Sequence, residues 1–202
     1  MKKLFITLML LPLLGLAQTI ENIDYISPFH DGVAAIKKGN EWGFIDLDGK
    51  IIIDFRDDLV LTKNDDTSYP IFSNERCLIT LQKEGVHYYG YIDKTGKTII
   101  TPQFLNASNF EGNKALALKV EKETIGYNHI FKKDVVSYHY FEVVIDMEGK
   151  PIEHLTQLAI HVSPKDKNDK NPPIISSRLI SDKLIAIKGS NSKWRIKKID
   201  QQ

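Results

Sequence analysis

Repetition constrains this chain more than any other feature. The segment Trp42-Gly43-Phe44-Ile45-Asp46-Leu47-Asp48-Gly49-Lys50-Ile51-Ile52-Ile53 recurs as Tyr89-Gly90-Tyr91-Ile92-Asp93-Lys94-Thr95-Gly96-Lys97-Thr98-Ile99-Ile100. A weaker copy runs Val143-Val144-Ile145-Asp146-Met147-Glu148-Gly149-Lys150-Pro151-Ile152. The shared kernel is Ile-Asp-x-x-Gly-Lys, and Asp46, Asp93 and Asp146 lie 47 and 53 residues apart. A second element precedes each kernel: Phe29, Phe72 and Phe110 are each followed five residues later by a small residue, Ala34, Cys77 or Ala115. A truncated fourth copy carries Ala186-Ile187-Lys188-Gly189 and then Trp194, close to the position of Trp42. Such a unit cannot bury its apolar face alone, so units of this kind stack on one another.

Each kernel reads as a β-hairpin. Trp-Gly-Phe-Ile and Ile-Ile-Ile are aromatic and β-branched runs. Asp48-Gly49 between them is a strong hairpin signal, because Gly accepts a positive φ. Gly96 and Gly149 hold the same place, and the Asp before each turn can accept hydrogen bonds from turn amides. The segment from Phe29 to Lys37 supplies a further strand, which predicts a three-stranded antiparallel meander as the unit. The expected fold is all-β, an open twisted array of stacked meanders, with a small β-propeller as the alternative. The repeats run over about 25–55, 70–104, 107–153 and a degenerate 178–200. Cys77 occupies an alanine position, which points to small core packing rather than reactivity.

Two segments interrupt the period. Residues 122–140 lengthen the third repeat and read as a long hairpin with Lys132-Lys133-Asp134 near its tip. Residues 163–173 contain no large apolar residue and read as an exposed loop.

The N-terminus carries an address. Met1-Lys2-Lys3 precedes an apolar run from Leu4 to Leu14 and then Gly15-Leu16-Ala17-Gln18. A basic start, a short apolar stretch and small residues before a cut make a secretory signal peptide, with cleavage expected between Ala17 and Gln18. The expected mature domain is 18–202, secreted or periplasmic, with no transmembrane segment once the leader is removed. No other stretch approaches the ~20 apolar residues a spanning helix needs. A formal charge of +1 gives no general attraction to nucleic acid. A single cysteine excludes an intrachain disulfide and a cysteine-based zinc cluster.

The residues Phe29-x-x-Gly32-x-Ala34, then Glu41-Trp42-Gly43-Phe44-Ile45-Asp46-x-x-Gly49-Lys50-x-Ile52-Ile53, resemble the WG-repeat family, also called KWG repeats. Ile99-Ile100-Thr101-Pro102-Gln103-Phe104 resembles the family's usual exit from the repeat. The second copy has Tyr89 for the tryptophan, the third loses the aromatic-Gly pair and the fourth loses the turn. The resemblance implies a bacterial repeat architecture and carries no catalytic mechanism.

The chemical constellations are few. Asp46, Asp93 and Asp146 could in principle ligate a metal, but repeats hold equivalent residues one unit apart, whereas catalytic carboxylates flank a single bond. Asp46-x-Asp48-Gly49 lacks the further acidic ligands of a calcium loop. His30, His87, His129, His139, His154 and His161 show no ligand spacing. No nucleophile elbow, phosphate-binding loop or dinucleotide fingerprint is present, and no cofactor is expected. The candidate binding residues are Tyr127, His129, Phe131, Lys132, Lys133, Tyr138 and His139 on the extension, since aromatic residues are enriched at interfaces. The expectation is a non-catalytic repeat protein that binds a protein or cell-envelope partner. The alternatives are a structural envelope module and an enzyme with a site near the extension.

Overall fold

The computed structural model describes residues 20–156, 160–161, 172–189 and 191–199. The expected leader and its cleavage point, and all but the end of the expected loop at 163–173, lie outside the described residues. All regular structure among the described residues is β-strand, in antiparallel sheets none of which closes on itself.

The first repeat is a four-stranded meander: β1 (Tyr25–His30), β2 (Val33–Lys38), β3 (Glu41–Ile45) and β4 (Ile51–Arg56), hydrogen-bonded in that order. A small hairpin follows, β5 (Thr62–Asn64) with β6 (Thr67–Tyr69). The second repeat repeats the meander as β7 (Phe72–Ser73), β8 (Arg76–Lys83), β9 (Val86–Ile92) and β10 (Thr98–Ala107). In the third, an isolated bridge between Glu111 and Lys114 stands in for the leading strand. It continues as β11 (Ala115–Asn128), β12 (Lys133–Ile145) and β13 (Pro151–His154). β10 pairs with β11, so the second and third repeats share one sheet, joined by β14 (Ile160–His161) alongside β12. The fourth repeat has three strands: β15 (Arg178–Ser181), β16 (Leu184–Lys188) and β17 (Trp194–Lys198).

In the first two repeats the unit therefore has one strand more than the three expected, whereas the third and fourth keep three. The Phe-to-small segment is itself a hairpin, and its five-residue spacing is a cross-strand pairing, Phe29 opposite Ala34 and Phe72 opposite Cys77. The turns between them are tight, with positive φ at Asp31 and Gly32 and at Asn74 and Glu75, as two-residue hairpin loops require.

Strand alternation gives each repeat two faces. The front face of one repeat packs on the back face of the next, and three buried clusters mark the three junctions. Trp42, Phe44 and Ala35 of the first repeat meet Phe72, Cys77 and Ile79 of the second. Leu78, Tyr91 and Ile100 then meet Phe110, Ala115 and Ile145 of the third. Leu116 and Val144 meet Ile185 and Ile187 of the fourth. Equivalent rings repeat the same contact: Phe44 with Phe72 and Tyr91 with Phe110 both stand edge-on, with centroids 4.8 Å apart. The kernel turns stack likewise, Gly96 against Ile53 and Gly149 against Ile100.

Candidate functional site

The kernel acids are turn residues. The Asp46 Oδ1 accepts from the amides of Asp48 (3.0 Å) and Lys50 (2.9 Å). Asp93 accepts from Thr95 (2.9 Å) and Lys97 (3.1 Å), and Asp146 from Glu148 (3.1 Å) and Lys150 (2.8 Å). In each turn the glycine amide also donates to the Asp carbonyl, and Gly49, Gly96 and Gly149 hold φ of 76°, 79° and 81°. At Asp93 burial acts to raise the carboxyl. The Thr95 hydroxyl, the Thr95 and Lys97 amides and the charge of Arg76 outweigh it and hold the group below its ordinary value. The structure distributes these three acids over three turns, each capping its own.

The aromatic-Gly pair has a steric cause. In the first repeat Trp42 pairs with Arg56 and Phe44 with Ile53, so β4 bulges opposite Gly43. In the second, Tyr89 pairs with Phe104 and Tyr91 with Ile100, a wider bulge opposite Gly90. A Cβ at Gly43 would lie 2.8 Å from the Ile53 carbonyl oxygen. One at Gly90 would collide with the Ile100 carbonyl and come within 2.6 Å of the Pro102 nitrogen. The third repeat has Val143 here, and Val143 pairs directly with His154. Cys77 is fully buried, and burial drives its thiol far above the ordinary range. Burial likewise raises the Tyr91 phenol, which donates to the Ser108 carbonyl at 2.7 Å.

The extension is a two-stranded ribbon. β11 and β12 pair continuously out to Asn128 opposite Lys133, with one bulge at Ile125. β14 reaches only His139 and Tyr140, so the ribbon beyond has no further strand beside it among the described residues. The Asn128 side chain closes the tip by accepting from the Ile130 and Phe131 amides, both at 3.0 Å. Ile130 is 86% and Phe131 72% exposed. Tyr127, His129, Lys132 and Lys133 are exposed too, with Tyr127 edge-on to His129 at 5.1 Å.

The structure does not gather the seven candidates onto one face. Tyr127 lies opposite Asp134, which places it with Val136 and Tyr138 on one side. Lys133 and His139 lie on the other side with Val135, and His139 sits 3.5 Å from Glu123. His129, Phe131 and Lys132 form the tip. Tyr138 and His139 are half-buried near the root, where Tyr138, after burial, helps to raise the Tyr88 phenol. Ile125 and Ile130 belong to the exposed apolar set and are absent from the sequence-derived candidates. Nothing in their local pattern separates them from inward-facing strand residues.

Among the described residues, clefts open between neighbouring repeats. The first, about 690 Å³, runs between the first two repeats past Ile52, Arg56, Asp58, Thr80 and Pro102. Arg56 donates to Asp58 through Nε (2.5 Å) and Nη2 (2.6 Å), and to the Gly96 carbonyl through Nη1 (3.2 Å). The second, about 490 Å³, lies between the third and fourth repeats and includes Glu142, Thr156, Ser176, Lys188, Trp194 and Arg195. Glu142 stands where the other repeats have Trp42 and Tyr89, and it is buried. Its carboxylate accepts from the Ser176 hydroxyl (2.8 Å) and the Ser177 amide (2.6 Å), which ties the approach to β15 onto β12. Among the described residues no group of three or more His, Cys, Asp or Glu is placed to hold a metal ion.

The model of the WG-containing repeat matches this chain at residues 20–42, 42–56 and 89–121. These segments cover the first repeat and run from the β9 strand into β11. No curated protein and no solved structure matches the chain. The bulged glycines and the first two capped turns fall within the matched segments, and the chain carries WG-containing repeats, set in a stack of antiparallel meanders of three or four strands.

Proposed function

We propose that this protein is a non-catalytic, extracytoplasmic repeat module that binds a protein or envelope partner through the β11–β12 ribbon. One observation carries the reading: two large apolar side chains, Ile130 and Phe131, stand open to solvent at the end of a regular, hydrogen-bonded ribbon. Exposed apolar surface on a rigid support marks an interaction site. Lys132 and Lys133 beside it favour an acidic partner, and Tyr127 adds an aromatic contact. The leader-like start at Met1–Gln18 supports the extracytoplasmic address.

The test is a ribbon excision joined where the buried part begins. Ser137 is buried and Tyr140 half-buried, so residues 124–136 are replaced by Asn-Gly between Glu123 and Ser137, which face each other across the ladder. The excised protein and a Phe131→Ser variant are compared with wild type by cross-linking in envelope extract. The excised chain is expected to keep its melting transition, and both variants to lose the same cross-linked species. Retention of that species by both places recognition elsewhere on the array.

A further inference from the structure

The interior of the stack uses one junction three times, and each end of the described stack leaves part of the unused half of it exposed. The leading phenylalanine shows this at the N-terminal end. Phe72 and Phe110 are 1% and 0% exposed beneath the preceding repeat, whereas Phe29 is 47% exposed. Ile26, on the same back face, is exposed as well, while its neighbours Ala34 and Ile36 are buried. At the other end, Trp194 lies opposite Lys188 as Trp42 lies opposite Lys37. That register makes Trp194 and Ile196 the equivalents of Trp42 and Phe44. Trp42 and Phe44 are buried against the second repeat, but Trp194 is 46% and Ile196 65% exposed, with Leu184 beside them. Arg178 lies over the Trp194 ring at 4.6 Å.

The two ends also carry opposite charge. Residues 178–200 hold seven Lys and Arg against two Asp. Residues 20–56, the first repeat with its lead-in, hold seven Asp and Glu against four Lys and Arg. The basic end would repel a second basic end, which disfavours a face-to-face dimer, and it attracts an acidic one.

We propose that this chain associates head-to-tail with a second copy of itself, the front face of β16–β17 docking on the β1–β2 hairpin of the next copy. Ile196 then takes the place of Phe44 or Tyr91, and Phe29 of the second copy takes the place of Phe72 or Phe110. The contact is heterologous, so it leaves one free face of each kind and extends by addition of further copies. The proposal is independent of the ribbon's role.

Sedimentation velocity over a range of protein concentrations tests it. The purified protein is expected to gain mass with concentration and to lose it as salt screens the charged ends. Phe29→Asp and Ile196→Asp are both surface substitutions, so each is expected to keep the wild-type melt and each alone to remain monomeric. Mixed together they are expected to form a dimer and nothing larger, because the intact front face of one meets the intact back face of the other. A wild-type chain that stays monomeric at every concentration overturns the proposal. So does association that survives either substitution, or a mixture of the two variants that does not pair.

Discussion

Gly90 shows how a single residue sets the shape of the repeat. The β10 strand folds its Thr101-Pro102-Gln103 bulge across the glycine, and there is no room for a side chain between them. The atoms in the way are backbone, which cannot rotate aside. Gly90→Ala should therefore cost about 1–3 kcal/mol, as overpacking of a filled site does. Gly126, in the exposed ribbon, has nothing within 4 Å of its added Cβ and no positive φ. Gly126→Ala should be neutral or slightly stabilising. Denaturant melts of the two variants make the comparison, and equal effects would remove the steric account of the aromatic-Gly pair. Asp93 permits a second test at this scale. Its carboxyl is held below the ordinary value of about 3.9. A depressed carboxyl stabilises the fold above the unfolded value, and that contribution is lost as pH falls through the folded value. Thr95→Val removes the hydroxyl that donates to Asp93. The Asp93 titration, followed by carboxyl NMR, is expected to move up towards the ordinary value while the backbone turn persists. No movement would assign the depression to the amides and Arg76 alone.

At the scale of the element, the leading hairpin carries the same motif residue in two environments. Phe72 lies under Phe44 in the interior of the stack, whereas Phe29 lies at its end. Phe72→Ala should cost about 3–5 kcal/mol, the usual loss for a buried aromatic, and Phe29→Ala a small fraction of that. Chemical denaturation of both variants decides it, and equal losses would mean that Phe29 packs in solution as Phe72 does. The kernel hairpins are legible from residues alone, because Asp-Gly and Thr-Gly sit between β-branched runs. The leading hairpin carries the same Asp-Gly signal only in the first repeat, at Asp31-Gly32; in the second, β7 is two residues long and its Asn74-Glu75 turn lacks a glycine, so in a comparison of the repeats the segment reads as a single strand. The extension is legible as a ribbon, but its faces are not. The bulge at Ile125 shifts Tyr127 relative to a regular alternation, and a bulge of this kind leaves no mark in the pattern. Glu142 is hidden for another reason. Its partners Ser176 and Ser177 lie 34 and 35 residues further along the chain, so only the fold brings them together.

At the scale of the whole molecule, the stack is held by three separate buried clusters rather than by one core. No described residue belongs to more than one of them. In such an array stability is close to a sum of unit terms and nearest-neighbour junction terms. The junctions are unequal in their backbone support. The second and third repeats share a continuous ladder through β10 and β11, so their junction has hydrogen bonds as well as apolar contact. The fourth repeat is joined to the third by side chains, among them Ile185, Ile187 and the Lys197–Glu153 pair at 2.7 Å. It is also a small three-stranded sheet with one neighbour, so it should open at lower free energy than the rest. Native-state hydrogen exchange is expected to show the β16 and β17 amides exchanging first, β1–β4 next and β8–β12 near the junction last. Ile185→Ala sharpens the test. It removes a fully buried side chain from the third junction alone and should cost about 2–5 kcal/mol there. Exchange should accelerate in β15–β17 while β1–β4, two junctions away, keep their protection. A uniform loss of protection across all four repeats would show instead that the array opens as a single cooperative unit, with the shared β10–β11 ladder transmitting the defect along its whole length.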